Sequence, residues 1–161
     1  MRSAVALVVV TVAVMCLPVS AKGITTRIVM TRLSTGQVTV LSEARLLEQF
    51  DVWSGPGTSD TSATSFIVDW AAGAMDAPGD PSERLEVRFL VRRSGSRAEE
   101  LAYVVYYVPG SEATPAAVYL PGRGDEHFTG NVRSILRGPG FEGRWFRASD
   151  AWRRAASDAL H

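Results

Sequence analysis

The sequence predicts an α+β fold: a single domain whose mostly antiparallel, twisted sheet of about six or seven short strands carries two short helices. Three observations lead there. Residues 84–93 alternate, with Leu85, Val87, Phe89 and Val91 facing one way and Glu86, Arg88 and Arg92 the other, as a strand does when one face is buried and one is wet. Other short apolar runs, rich in β-branched and aromatic residues, stand on both sides of it and are divided by Gly-, Pro- and Ser-containing turns. Helical periodicity is confined to two brief stretches, near Leu46 and near Trp152.

In chain order, residues 24–32 place Ile24, Thr26, Ile28 and Met30 on one face and predict a strand. Ser34-Thr35-Gly36 turns the chain, and Val38 and Val40 alternate through residues 37–41 to complete a hairpin. Ser42 stands where a helix N-cap belongs, and Leu46, Leu47 and Phe50 give the next segment one apolar side. Residues 51–65 and 71–82 have loop composition, and residues 66–70 between them form a short apolar strand. After the alternating strand, residues 94–100 turn, residues 101–108 return, and residues 116–120 add a third strand of a meander. Residues 131–137 suit a short strand or a helical turn, the strand being favoured, residues 138–143 a turn around Pro139-Gly140, and residues 144–147 a short aromatic strand. Ser149 caps a last helix over residues 150–160, with Asp150 at its positive end and Trp152 and Ala156 on its buried side. The Gly-Pro-Gly strings at 55–57 and 138–140 suit turns, because Pro fixes φ at one corner and Gly accepts positive φ at the next.

The N-terminus predicts export. Arg2 supplies a positive start, residues 4–17 an apolar run, Pro18 a helix break, and Val19-Ser20-Ala21 the small residues a signal peptidase reads. A membrane span takes about 20 apolar residues, so this run is short for an anchor. Removal of the signal, residues 1–21, leaves residues 22–161 as one exported domain, periplasmic or secreted, with no membrane span. Cys16 is the single cysteine and departs with the signal, so the domain is expected to have no disulfide framework, thiolate metal site or cysteine nucleophile. Without Arg2 the 17 basic residues become 16, against 17 acidic ones. A polyanion binder shows a basic excess, so nucleic acid is not an expected partner. The charge is uneven. Glu48, Asp51, Asp60, Asp69, Asp76, Asp80 and Glu83 meet no base between residues 46 and 83, whereas seven arginines follow Pro121. Two solvated faces account for this simply; an acidic rim for a hard cation, or an arginine patch for an anion, accounts for it functionally.

Residues 118–147 hold the densest candidate chemistry. In Gly122-Arg123-Gly124-Asp125-Glu126-His127 the imidazole suits a general base, with Asp125 or Glu126 to fix its tautomer. The candidate hydroxyls are Ser54, Ser65, Thr129 and Ser134, and none sits in a nucleophile-elbow context. Asp125 and His127 are spaced as metal ligands on a strand, but two are too few and the other histidine is the terminal His161. A turn with solvated charges is the simpler account. Arg133, Arg137, Arg144 and Arg147 interleave with Phe141, Trp145 and Phe146. Arginines grip carboxylate or phosphate through paired bonds and stack on rings; an aromatic core under arginine cover explains the pattern as well. Trp53, beside Ser54-Gly55-Pro56-Gly57, is either a sugar platform or a plug at a core edge.

Four strings, Phe50-Asp51-Val52-Trp53-Ser54-Gly55-Pro56-Gly57, Phe66-Ile67-Val68-Asp69-Trp70, Tyr119-Leu120-Pro121-Gly122-Arg123-Gly124-Asp125-Glu126 and Gly143-Arg144-Trp145-Phe146, resemble those of a group of uncharacterised exported bacterial proteins. The resemblance runs from Ile24 to Trp152. It implies an independent exported domain and supplies no activity, cofactor or catalytic residue. The expectation is a soluble accessory protein of the bacterial envelope that binds an envelope component or an anionic ligand, without chemistry and without a cofactor. Its expected contact residues are Trp53, Arg123, Asp125, His127, Arg133, Arg137 and Trp145. One alternative is a small hydrolase using His127 with Asp125 or Glu126. Another is a cation-stabilised structural domain built on the acidic stretch.

Overall fold

The computed structural model describes residues 23–58, 65–78 and 83–160; the expected signal segment, Asp60, Asp80 and His161 lie outside the described residues. Among the described residues the fold is α+β, one antiparallel sheet of seven strands with three helices. Strands β1 (Ile24–Arg32) and β2 (Val38–Leu41) form the expected hairpin. The two-residue β3 (Ala74–Met75) precedes the meander of β4 (Leu85–Arg92), β5 (Glu99–Val108) and β6 (Ala117–Leu120), and β7 (Arg144–Arg147) follows it. The spatial order is β2-β1-β4-β5-β6-β7-β3.

Alternation sets the layers. Ile28 and Met30 stand opposite Phe89 and Val87, which stand opposite Tyr103 and Val105, and all six are buried. Helix α3 (Asp150–Leu160) covers this side. Its Trp152 is fully buried and meets Phe50 edge-on at 5.3 Å and Tyr107 at 5.8 Å between ring centres. Ser149 caps the helix, its Oγ accepting from the Trp152 N–H at 3.3 Å. The short helix α1 (Ala44–Leu47) adds Leu47 to the same core, but its N-cap is Glu43 rather than Ser42, and no side chain caps it.

Two expected strands take other forms. Phe66, Ile67 and Val68 are buried as an apolar strand would be, yet Val68 makes only an isolated bridge to Ala148. The chain then winds into a 3₁₀ turn at Trp70–Ala72, where Asp69 Oδ1 accepts from the N–H groups of Ala71 and Ala72. A local side-chain acceptor has taken the donors that a ladder would have used. The seventh strand is instead β3, inside a stretch of loop composition. Residues 131–137 are not a strand: helix α2 (Phe128–Ser134) occupies the first of them, and Ile135 is extended behind it. Asn131 shows what this helix does. Its amide accepts from Val104 N–H at 2.8 Å and donates to Val104 C=O at 2.7 Å. Strand β6 pairs with β5 only from Tyr106 onward, so the Asn131 side chain stands in for the missing strand and satisfies a buried backbone edge.

The second sheet face carries the alternate positions of the same strands. It is open to solvent at Arg88, Arg92 and Val38. Among the described residues no helix is long and apolar enough to cross a membrane.

Candidate functional site

The strand register carries one residue from each of four adjacent strands into a line across the open face. Glu86 stands opposite Tyr106, Tyr106 opposite Tyr119, and Tyr119 opposite Trp145. Their neighbours Leu85, Val87, Val105, Tyr107, Val118, Leu120 and Phe146 are buried on the core side, so strand alternation turns the four outward. The rings of Tyr106 and Tyr119 stack with centres 6.4 Å apart, and those of Tyr119 and Trp145 lie 5.1 Å apart at 40°. Cross-strand aromatic pairs each contribute about 0.2 to 1 kcal/mol. All three rings are half-buried.

Arg84, one residue before β4, brings its guanidinium carbon to 5.6 Å from the Tyr106 ring centre and 5.4 Å from that of Trp145. Its Nε is buried with no hydrogen-bond partner. Among the described residues no carboxylate pairs with it, whereas Arg27, Arg88 and Arg92 on the same face all have acidic partners.

The chain between β6 and α2 bonds two members of this row. Asp125 Oδ2 accepts from the Tyr119 hydroxyl at 2.9 Å and from the Gly122 N–H at 2.6 Å. Gly122 is required here, because a Cβ would meet Gly143 Cα at 2.5 Å. His127 Nε2 lies 2.8 Å from Glu86 Oε2, and Arg88 Nε donates to the other oxygen of that carboxylate. The carboxylate that holds the imidazole is therefore Glu86 on β4, not Asp125 or Glu126 beside it. Residues 123–127 turn rather than extend, so sequence neighbours do not share a face with His127. Burial, and then the hydrogen bond to Asp125, raises the Tyr119 phenol above its ordinary value. Burial, and then the negative charge of Glu86, Glu126 and Asp125, does the same to Tyr106. Both stay neutral hydroxyls at neutral pH.

Of the expected contact residues, Asp125, His127 and Trp145 meet on this face. Arg123 is exposed in the same turn and Arg133 is exposed on α2; neither makes a hydrogen bond or ion pair among the described residues. Arg137 is 2% exposed and lies in the core. Trp53 donates its indole N–H to Gly23 C=O at 3.0 Å and lines a cavity of about 600 Å³ with Phe50, Ile24 and Glu48. A second cleft, about 940 Å³, runs between the β5–β6 connection and α3, lined by Arg147, Arg153, Arg154, Glu112 and Asp158. Sequence reasoning missed Arg84, Glu86, Tyr106 and Tyr119 as site residues. The outward phase of Glu86 was visible in the alternation of β4; the register that aligns it with two tyrosines was not.

Among the described residues no group of three or more His, Cys, Asp or Glu side chains is placed to hold a metal ion. Within the acidic stretch, Asp51 accepts from the Trp53 N–H, Asp69 caps the 3₁₀ turn, and Glu83 pairs with Arg32 at 2.7 Å. No protein-family model, curated protein or solved structure matches the chain.

Proposed function

We propose that this chain is an exported accessory protein of the bacterial envelope that binds its ligand, without transforming it, on the open sheet face around Tyr106, Tyr119 and Trp145. The observation that carries the reading is the row itself, three half-buried rings in register beside an arginine that meets no acid among the described residues. Rigid rings give contact area at low entropic cost, and a few fixed polar groups give orientation. The Tyr119–Asp125 and Glu86–His127 bonds hold those groups in place beforehand, which reduces the ordering needed on binding. Binding without chemistry is favoured because no serine or threonine hydroxyl reaches the His127 imidazole among the described residues. Hydrolysis needs base, orienting group and nucleophile in one line. Export rests on Arg2, the apolar residues 4–17 and the small residues up to Ala21.

Co-sedimentation of the full-length chain with isolated bacterial envelopes tests the proposal. Tyr119→Ala combined with Trp145→Ala is expected to weaken association about tenfold, equivalent to ~1.4 kcal/mol. Unchanged association, from a variant whose thermal midpoint shows it folded, contradicts it.

A further inference from the structure

We infer that the ligand of the open face is an acidic glycan, a chain of pyranose rings of which one bears a carboxylate, with Arg84 receiving that carboxylate and the Tyr106–Tyr119–Trp145 row receiving the neutral sugar rings. This rests on the reading that the open face is the binding surface. Three observations select the ligand class.

The first is the arginine. The guanidinium of Arg84 is held between two rings, its Nε is out of solvent, and no acid of the described residues meets it. A planar, rigidly held fork of N–H donors matches a planar carboxylate through two parallel bonds.

The second is the local charge. Glu86, Asp125 and Glu126 all act on Tyr106. A phosphate dianion brings twice the repulsion from these groups that a singly charged carboxylate brings. The site tolerates one negative charge aimed at Arg84 better than two.

The third is the set of free acceptors. Asp125 uses only Oδ2 for Tyr119 and Gly122, and His127 uses only Nε2 for Glu86. Asp125 Oδ1 and His127 Nδ1 have no partner among the described residues and remain available to accept from hydroxyl groups. A sugar supplies hydroxyl donors for them, and its C–H faces lie against the electron-rich ring faces. An acidic peptide has a carboxylate for Arg84 but few hydroxyls, and it adds most readily to a strand edge rather than to a sheet face.

Calorimetric titration of the full-length chain with a galactose oligomer ending in a single galacturonate and with the equal-length neutral galactose oligomer tests the inference. The uronate oligomer is expected to bind about tenfold or more tightly than the neutral one, the strength of a charge-assisted paired contact. Arg84→Met is expected to remove that advantage, so that the two oligomers bind alike, and Arg84→Lys to retain part of it. Trp145→Ala is expected to weaken both. Equal affinity for the two oligomers, or an advantage that survives Arg84→Met in a folded variant, overturns the carboxylate assignment; a loss of both ligands in Trp145→Ala then leaves open-face binding standing. Displacement of the uronate by inorganic phosphate at equal concentration also overturns it. Binding of neither oligomer rejects the glycan class, and envelope association of the Tyr119 and Trp145 variant then decides the open-face reading separately.

Discussion

Arg137→Ala is expected to lower the free energy of unfolding by about 3 to 5 kcal/mol, the cost of breaking a buried charged contact. Its Nη1 donates to Ser54 C=O at 2.7 Å and its Nη2 to Val52 C=O at 2.8 Å. The guanidinium carbon lies 4.5 Å from the Phe66 ring centre, 5.0 Å from Trp70 and 5.2 Å from Tyr103. The loop that supplies the carbonyls is fitted around it. Gly57 has φ of 74°, and a Cβ there would meet Leu136 C=O at 2.5 Å; one on Gly55 would meet the Trp70 indole nitrogen at 2.3 Å. Two effects oppose each other at this residue. Burial disfavours the charge and pushes the guanidinium down from its ordinary value. Deletion, on the other side, strands two buried carbonyls at about 1 to 3 kcal/mol each and opens a cavity among three rings. The second effect is the larger. Arg137→Met fills part of the cavity and avoids the buried charge, so it is expected to cost about half as much. Urea denaturation of both variants measures this. A methionine variant as stable as the parent means that desolvation of the cation outweighs its bonds, and the structural role assigned to Arg137 fails.

Trp152→Ala is expected to cost a comparable amount, about 3 to 5 kcal/mol. The indole is fully buried and contacts Phe50, Phe89 and Tyr107, so it joins α3 to the loop after α1 and to the two central strands. These rings cannot collapse into the void, because β4 and β5 hold Phe89 and Tyr107 in register with the rest of the sheet. Denaturant unfolding with near-ultraviolet dichroism follows both stability and ring packing. A cost below about 1 kcal/mol, the level of a surface change, contradicts the placement of Trp152 at the centre of the core.

The elements legible in the sequence are those whose signal is local. Strand β4 announces itself by alternation, and α3 by Ser149, Asp150 and the spacing of Trp152 and Ala156. Phe66, Ile67 and Val68 fill the core in a form that an apolar run cannot specify, since such a run has the same composition whether or not it joins a ladder. Helix α2 contains Gly130 and Asn131, poor helix formers, and Asn131 is there to reach Val104, 27 residues away. The site is legible in the same uneven way. Asp125, His127 and Trp145 lie in one dense stretch, but Glu86 comes from 41 residues upstream of His127, and only the sheet register brings it in. Arg137 shows the opposite difficulty. Its charge favours an exposed reading, and the carbonyls that hold it inside lie 83 and 85 residues away.

The most direct test of open-face binding is an amide hydrogen-exchange footprint of the full-length chain, free and bound to envelope material. Added protection is expected in residues 104–108, 117–127 and 144–147, which carry Tyr106, Tyr119, Asp125, His127 and Trp145. Protection confined to the cavity beside Trp53, or to the cleft between the β5–β6 connection and α3, with the tyrosine row unchanged, contradicts the account.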